Sequence, residues 1–177
     1  SFSRGSNAGR LIMGKKLFLV CPTDCMETII NKKFKSDNYF YTSIGNAFNV
    51  DDITIKTIEK LISKHQIKDV NFILSLDNSF ILQTLIGNLN LKVKGLKKHS
   101  EDIKRKKRHL EVILKEENNR YLLLSYILNN KIKEFKLKLI DSPNNPIKIG
   151  AKIYDRNSDD FKNIYSELIF FEKYNMN

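Results

Sequence analysis

Residues Leu17 to Cys25 read LFLVCPTDC, a short unbroken apolar run that stops at Pro22. An apolar run this short, with no polar alternation, is the pattern of a strand buried on both faces, and Pro22-Thr23-Asp24 ends it. Working outward, Met26 to Phe34 places Ile29, Ile30 and Phe34 at helical spacing. Tyr39 to Thr42 is a second strand, followed by the turn-like pair Gly45-Asn46. Asp51 or Asp52 caps a helix that sets Ile55, Ile58, Leu61 and Ile62 on one face and runs to about His65. Val70 to Ser75 is a third strand, again almost continuously apolar. Strand and helix in alternation, joined by short connections, predict a mostly parallel central sheet of four to five strands with helices on both faces. Such sheets hold ligands beyond the carboxyl ends of their strands, so the loops starting at Cys21, Ser43 and Ser75 matter most.

The second half is read less directly. Ser79 to Leu89 predicts a helix, and from Lys92 the chain turns strongly basic. A helical insert is expected at about 92–117, with Ser100 available as a cap. Ile103, Leu110, Ile113 and Leu114 form its inner stripe, and Lys97, Lys98, Lys104, Arg105, Lys106, Lys107 and Arg108 its basic outer face. Tyr121 to Leu128 is apolar almost all round and reads as a buried helix. Phe135, Leu137 and Leu139 alternate with lysines, as do residues of Ile147 to Tyr154 after the Pro143-Asn144-Asn145-Pro146 turn, so two strands are expected there. They would pair as a hairpin or lie apart with the second at a sheet edge. A last helix is expected from Ser158 or Asp159, with Phe161, Ile164, Tyr165, Leu168 and Ile169 on one side.

Length and composition bound the rest. With 177 residues, 41% hydrophobic and three prolines, the chain suits a single globular domain and excludes collagenous or low-complexity classes. Residues 1–12 are polar and read as an expression remnant or disordered leader, leaving 13–177 as the α/β domain. No run reaches the roughly 18 apolar residues of a membrane span, so membrane insertion is not expected. Cys21 and Cys25, the only cysteines, would close too short a loop to stabilise much, and a reducing cytoplasm fits them. The formal charge of +11 suits nucleic acid, an acidic protein partner or a membrane surface, although a composition rich in Lys, Asn and Ile yields such a surface by itself. There is no glycine-rich phosphate loop and no HExxH, and Ser79 with Asp77 lacks a histidine to complete a triad.

Three segments, LFLVCPTDC from Leu17 to Cys25, YTSIGNAFN from Tyr41 to Asn49 and FILSLDNSF from Phe72 to Phe80, together resemble the β-class carbonic anhydrases. In that family one strand enters a Cys-x-Asp-x-Arg loop, a second ends in an Arg-Asn-x-x-Asn turn and a third ends in Gly-His-x-x-Cys. The segment IKIGAKIYD from Ile147 to Asp155 is similar to the family's last strand. The resemblance implies a zinc site held by Cys, His and Cys, with an open fourth position that makes hydroxide near neutral pH. Carried over, Cys21 matches the first ligand, but Leu76 stands at the histidine and Ser79 at the second cysteine. Asp24 follows Cys21 by three positions instead of two, and Cys25 replaces the arginine.

These departures predict a carbonic-anhydrase-like domain without zinc or CO2 hydration, retained as a binding or scaffolding protein and, as the resemblance implies, a homodimer. Cys21, Asp24, Gly45, Asn46, Leu76 and Ser79 would line the vestigial pocket, with room for a small anion against backbone N–H groups. On plainer readings Cys21 is a small core residue, Cys25 begins a helix and Asp24 caps it. Two alternatives remain open: a nucleic-acid or acidic-partner module acting through Lys92 to Arg108, and an active carbonate dehydratase with a non-standard metal site. For the latter, His65 belongs at the wrong end of the sheet, while His99 and His109 would have to fold back from the basic segment.

Overall fold

The computed structural model describes residues 14–87, 89–114, 120–139 and 146–166. Among the described residues five strands form one sheet: β1 (Lys15–Val20), β2 (Asp37–Thr42), β3 (Asp69–Ser75), β4 (Lys148–Asp155) and β5 (Asp160–Asn163). Their order is β2-β1-β3-β4-β5, parallel except for the final antiparallel pair. Five α-helices accompany them among the described residues: α1 (Glu27–Lys33), α2 (Asp52–His65), α3 (Ser79–Ile86), α4 (Lys94–Leu114) and α5 (Arg120–Lys138). The expected single α/β domain with a mostly parallel sheet is therefore what the chain forms.

Side chains alternate across the sheet, as the pleat requires. Leu17, Leu19, Val70, Phe72 and Leu74 point to one face and join a large core with Ile55, Ile58 and Ile62 of α2, Ile81 of α3, Ile103 and Leu110 of α4, and the inner residues of α5. Phe18, Val20 and Ile73 point to the other face and meet Met26, Ile30 and Tyr154, fringed by Ile29, Phe34, Phe40 and Phe161. Helices thus lie on both faces, four on one and α1 on the other. Asp51 caps α2 by accepting from the Thr54 N–H at 2.7 Å, as its spacing predicts. Gly87, at φ 85°, ends α3.

Three sequence expectations are corrected. Phe135 to Leu139 is not a strand: α5 runs through it, burying Phe135 and Leu139 while leaving Leu137 81% exposed. The overlooked pattern is Leu128, Ile132, Phe135 and Leu139, spaced four, three and four as a helix stripe. Consequently β4 forms no hairpin with that segment and is not an edge; it lies between β3 and β5. The segment after Ser158 begins as strand β5, pairing Tyr154 with Phe161 across a turn in which Asp159 has φ 49°. Phe161 packs edge-on against Phe34 at 5.1 Å, an aromatic contact that a helix register would not make. Leu168 and Ile169, with residues 1–12 and the side chains of Ile113 and Leu114, lie outside the described residues.

The basic segment is helix α4, with Ser100 buried inside it and not at its cap. Ile103 and Leu110 enter the main core, and Lys106 is only 9% exposed, held by Asp102 and lying over the Tyr126 ring at 5.7 Å. Lys106 is therefore removed from the outer basic face, which keeps Lys97, Lys98, Lys104, Arg105, Lys107 and Arg108.

Candidate functional site

Beyond the carboxyl end of β1, Cys21 is fully buried and its sulfur is held from two sides. The Gly45 N–H donates to Sγ at 3.1 Å, and the Thr23 hydroxyl lies 3.0 Å away. Ser79, at the start of α3, donates to the Thr23 hydroxyl at 3.3 Å. A chain of sulfur and two hydroxyls therefore joins the positions where the sequence resemblance places two zinc-binding cysteines, with Thr23 two residues after Cys21. The fold brings Cys21, Gly45 and Ser79 into one neighbourhood. It gives them to each other through hydrogen bonds.

Gly45 is the junction of this neighbourhood. Its φ of +60° is left-handed, and a Cβ there would run into the Phe80 ring, so glycine is required by conformation and by space. Its carbonyl faces His99 Nε2 of α4 at 2.8 Å, which assigns the proton to that nitrogen. The His99 ring stacks on Phe80 at 5.7 Å and is 7% exposed. Burial pushes its pKa down from 6.5 to about 4, so the ring is neutral near pH 7. The next residue, Asn46, also has positive φ and donates from Nδ2 to the Ile73 carbonyl at 2.8 Å, tying this turn to β3. Lys131 of α5 donates to the Ala47 and Phe48 carbonyls at 3.1 and 3.3 Å, and burial holds its ammonium below the usual lysine range.

Asp24 is not a cap of α1, whose N-cap position is Met26. It ends a short 3-10 turn, Pro22–Asp24, and turns inward at 2% exposure. Its carboxyl accepts from the Ser75 N–H and from Asn78 Nδ2, each at 2.9 Å, so it links the end of β1 to the end of β3. Burial raises its pKa from 3.8 to about 6, against the pull of those hydrogen bonds and of the Arg156 guanidinium. Asn78 caps α3, accepting from the Ile81 N–H at 3.0 Å. Cys25 is exposed at φ 53°, closing the 3-10 turn before α1 instead of beginning the helix.

At the rim, Arg156 follows β4 and donates to the Asp24 carbonyl at 2.6 Å while pairing with Asp77 at 3.2 Å. Ser75 hydrogen-bonds to Asp77 as well, so the triad-like pair of Asp77 with Ser79 does not form. Leu76 extends the β3 ladder by one bond, its N–H meeting the Tyr154 carbonyl at 2.8 Å, and its side chain packs against the main core.

A zinc site of the family's kind does not fit this donor set. Leucine has no donor atom, a neutral serine hydroxyl is a poor zinc ligand, and Cys21 is the one sulfur at the three positions. Among the described residues, no three His, Cys, Asp or Glu side chains are grouped to hold a metal ion. The histidines are spent elsewhere: His65 stacks on Tyr39 at 4.2 Å, His109 sits edge-on to Tyr126, and His99 holds Gly45. His99 does fold back beside the Cys21 loop. The sequence signal for it was slight, a histidine on the same helix stripe as Ile103 and Leu110.

No protein-family model matches the chain. No curated protein matches it in sequence. Solved structures do. The chain is similar to the β-carbonic anhydrase CafA of Aspergillus fumigatus, at 16% identity and a TM-score of 0.67, covering 91% of this chain and 83% of that one. It is similar to a tetrameric β-carbonic anhydrase of Sordaria macrospora at 14% identity and TM-score 0.64, covering 86% and 81%. A Coccomyxa β-carbonic anhydrase in complex with acetazolamide aligns at 10% identity and TM-score 0.65, over 86% and 72%. The fold is that of the β-carbonic anhydrases, as the motif order in the sequence implies.

Proposed function

We propose that this chain has the β-carbonic anhydrase fold without its zinc-dependent CO2 hydration, and serves as a binding or scaffolding protein. The observation that carries the reading is the donor set at the three ligand positions: Cys21 held by Gly45 and Thr23, Leu76 with no donor, and Ser79 hydrogen-bonded to Thr23. A hydration catalyst needs an activated water on a metal, and these side chains offer zinc a single sulfur.

Elemental analysis of the purified chain tests the reading together with stopped-flow CO2 hydration. Zinc far below one per chain and no hydration above buffer are expected. One zinc per chain, lost in Cys21→Ala along with hydration, would overturn it. The double variant Leu76→His with Ser79→Cys supplies the missing donors, and a folded protein should then bind close to one zinc. A folded double variant that takes up no zinc would show that these three positions do not converge on one centre.

The reading extends to assembly and place. A homodimer is proposed on the likeness to enzymes such as the tetrameric Sordaria protein, and light scattering at micromolar concentration would show a monomer if it is wrong. Free Cys21 and Cys25 support a reducing compartment such as the cytoplasm. Among the described residues, no helix is long and apolar enough to cross a membrane.

A further inference from the structure

The outer face of α4 carries cations that the fold itself does not use. Lys94, Lys97, Lys98, Lys104 and Arg108 are exposed or half-exposed, and none pairs with a carboxylate of another described residue. By contrast, Arg105 and Lys106 are engaged by Asp102, and Lys107 by Glu111. Along a helix rising 1.5 Å per residue, Lys94 to Arg108 spans about 21 Å. Between Lys94 and Glu111 no apolar side chain is exposed; Val93 just before them is, and one exposed carboxylate, Glu101, stands among the cations.

We infer that this face of α4 binds the phosphate backbone of nucleic acid, without reading base sequence. The chemistry discriminates among polyanions. A helix lying on a membrane buries an apolar face in the lipid, but the apolar side of α4, Ile103 and Leu110, is committed to the core. A protein interface is organised around aromatic or aliphatic anchors, with lysine depleted from its centre, and α4 presents lysines with no anchor between them. A row of unpaired cations on a rigid rod suits a row of phosphates, where binding is driven by counterion release. The inference stands apart from the proposed loss of hydration chemistry, because α4's outer face lies opposite the side on which His99 meets the Gly45 carbonyl.

The test uses the full chain and fluorescein-labelled nucleic acid, a mixed-sequence duplex of twenty base pairs and a twenty-nucleotide oligouridylate, by anisotropy across a salt series. Four phosphates neutralised by Lys97, Lys98, Lys104 and Arg108 predict a slope of log K against log salt of about −3.6 on the duplex, hence roughly a 150-fold loss of affinity from 50 to 200 mM, and a slope of about −2.8 on the single strand. The variant Lys97→Ala, Lys98→Ala, Lys104→Ala, Arg108→Ala is expected to flatten the slope by about one for each phosphate it no longer neutralises. Replacing the three lysines with arginine instead should preserve binding. Lys56, Lys60 and Lys64 form an exposed cationic stripe on α2, and their triple alanine variant is the control for diffuse charge. The inference is overturned if the wild type does not bind at 50 mM salt, if the α2 variant weakens binding as much per charge as the α4 variant, or if anionic vesicles or polyglutamate bind more tightly than either oligonucleotide. Far-UV circular dichroism of each variant separates lost binding from lost folding.

Discussion

Replacing His99 with Gln keeps an N–H donor within reach of the Gly45 carbonyl and deletes a titrating group. In the folded protein the His99 pKa is lowered from 6.5 to about 4, so the unfolded chain takes up the proton first as pH falls. Its contribution is full above 6.5 and is lost on the way down to about 4, a swing of about 3 kcal/mol at roughly 1.4 kcal/mol per pKa unit. Asp24 acts in the opposite sense. Its pKa is raised from 3.8 to about 6, so its contribution is full below 3.8 and is lost as pH rises through 6, again about 3 kcal/mol. The two slopes oppose one another across the same window and nearly cancel in the native chain. Urea denaturation at intervals from pH 4 to pH 7 reads the difference between His99→Gln and wild type, in which the shared repulsion of a strongly basic chain drops out. On lowering the pH across that window, wild type should lose about 3 kcal/mol relative to the variant. Lys131, Lys106 and Asp102 face His99 and are unchanged in the comparison. A difference independent of pH would refute the burial of a neutral ring at this site, and with it the clamp on Gly45.

Other outcomes follow from particular contacts. Gly45→Ala meets both a left-handed backbone and the Phe80 ring, and should lower the unfolding free energy by at least 1–2 kcal/mol, roughly, measured in denaturant. Phe135→Ala removes a fully buried ring that packs edge-on against Phe72 at 5.1 Å and should cost about 3–5 kcal/mol. Leu137→Ala, on the opposite side of the same helix, should stay within about 0.5 kcal/mol; equal losses at the two positions would favour a strand over α5. Asp51→Ala should cost about 1 kcal/mol through the missing bond to the Thr54 N–H, readable as a drop in melting temperature.

The legible parts of the fold were those in which local pattern and burial agree. The runs in β1 and β3 are apolar on both faces because helices cover both, and α2 announces itself through Asp51 and the isoleucines three and four apart. Misreading began where two periods share the same residues. Phe135, Leu137 and Leu139 satisfy a period of two, yet only the partners of Phe135 and Leu139 exist in the core; Leu137 is exposed because α5 turns it away. After Tyr154 the polar residues Arg156 to Asp159 make a turn, and pairing with β4 draws Phe161 into a strand although its sequence neighbours suit a helix. At the site, Cys21, Gly45 and Ser79 could be placed together by strand order. Thr23 and His99 could not, since each acts through a tertiary hydrogen bond with no sequence signature. Asp24 looked like a cap because of its position in the chain, whereas its carboxyl serves the backbone of a strand fifty-one residues away.

The unequal cover of the two sheet faces has a kinetic meaning. On one side four helices share a continuous core; on the other, a seven-residue helix and the β4–β5 turn guard Phe18, Val20 and Ile73. An element that short has little cohesion of its own and is held chiefly by Met26, Ile30 and Phe34. Its amides should therefore exchange with deuterium through a partial opening, well below the free energy that releases β3 or α5. The lid that lifts is joined through Cys25 and Met26 to the Pro22–Asp24 turn, so the protein breathes from the segment that leaves its site.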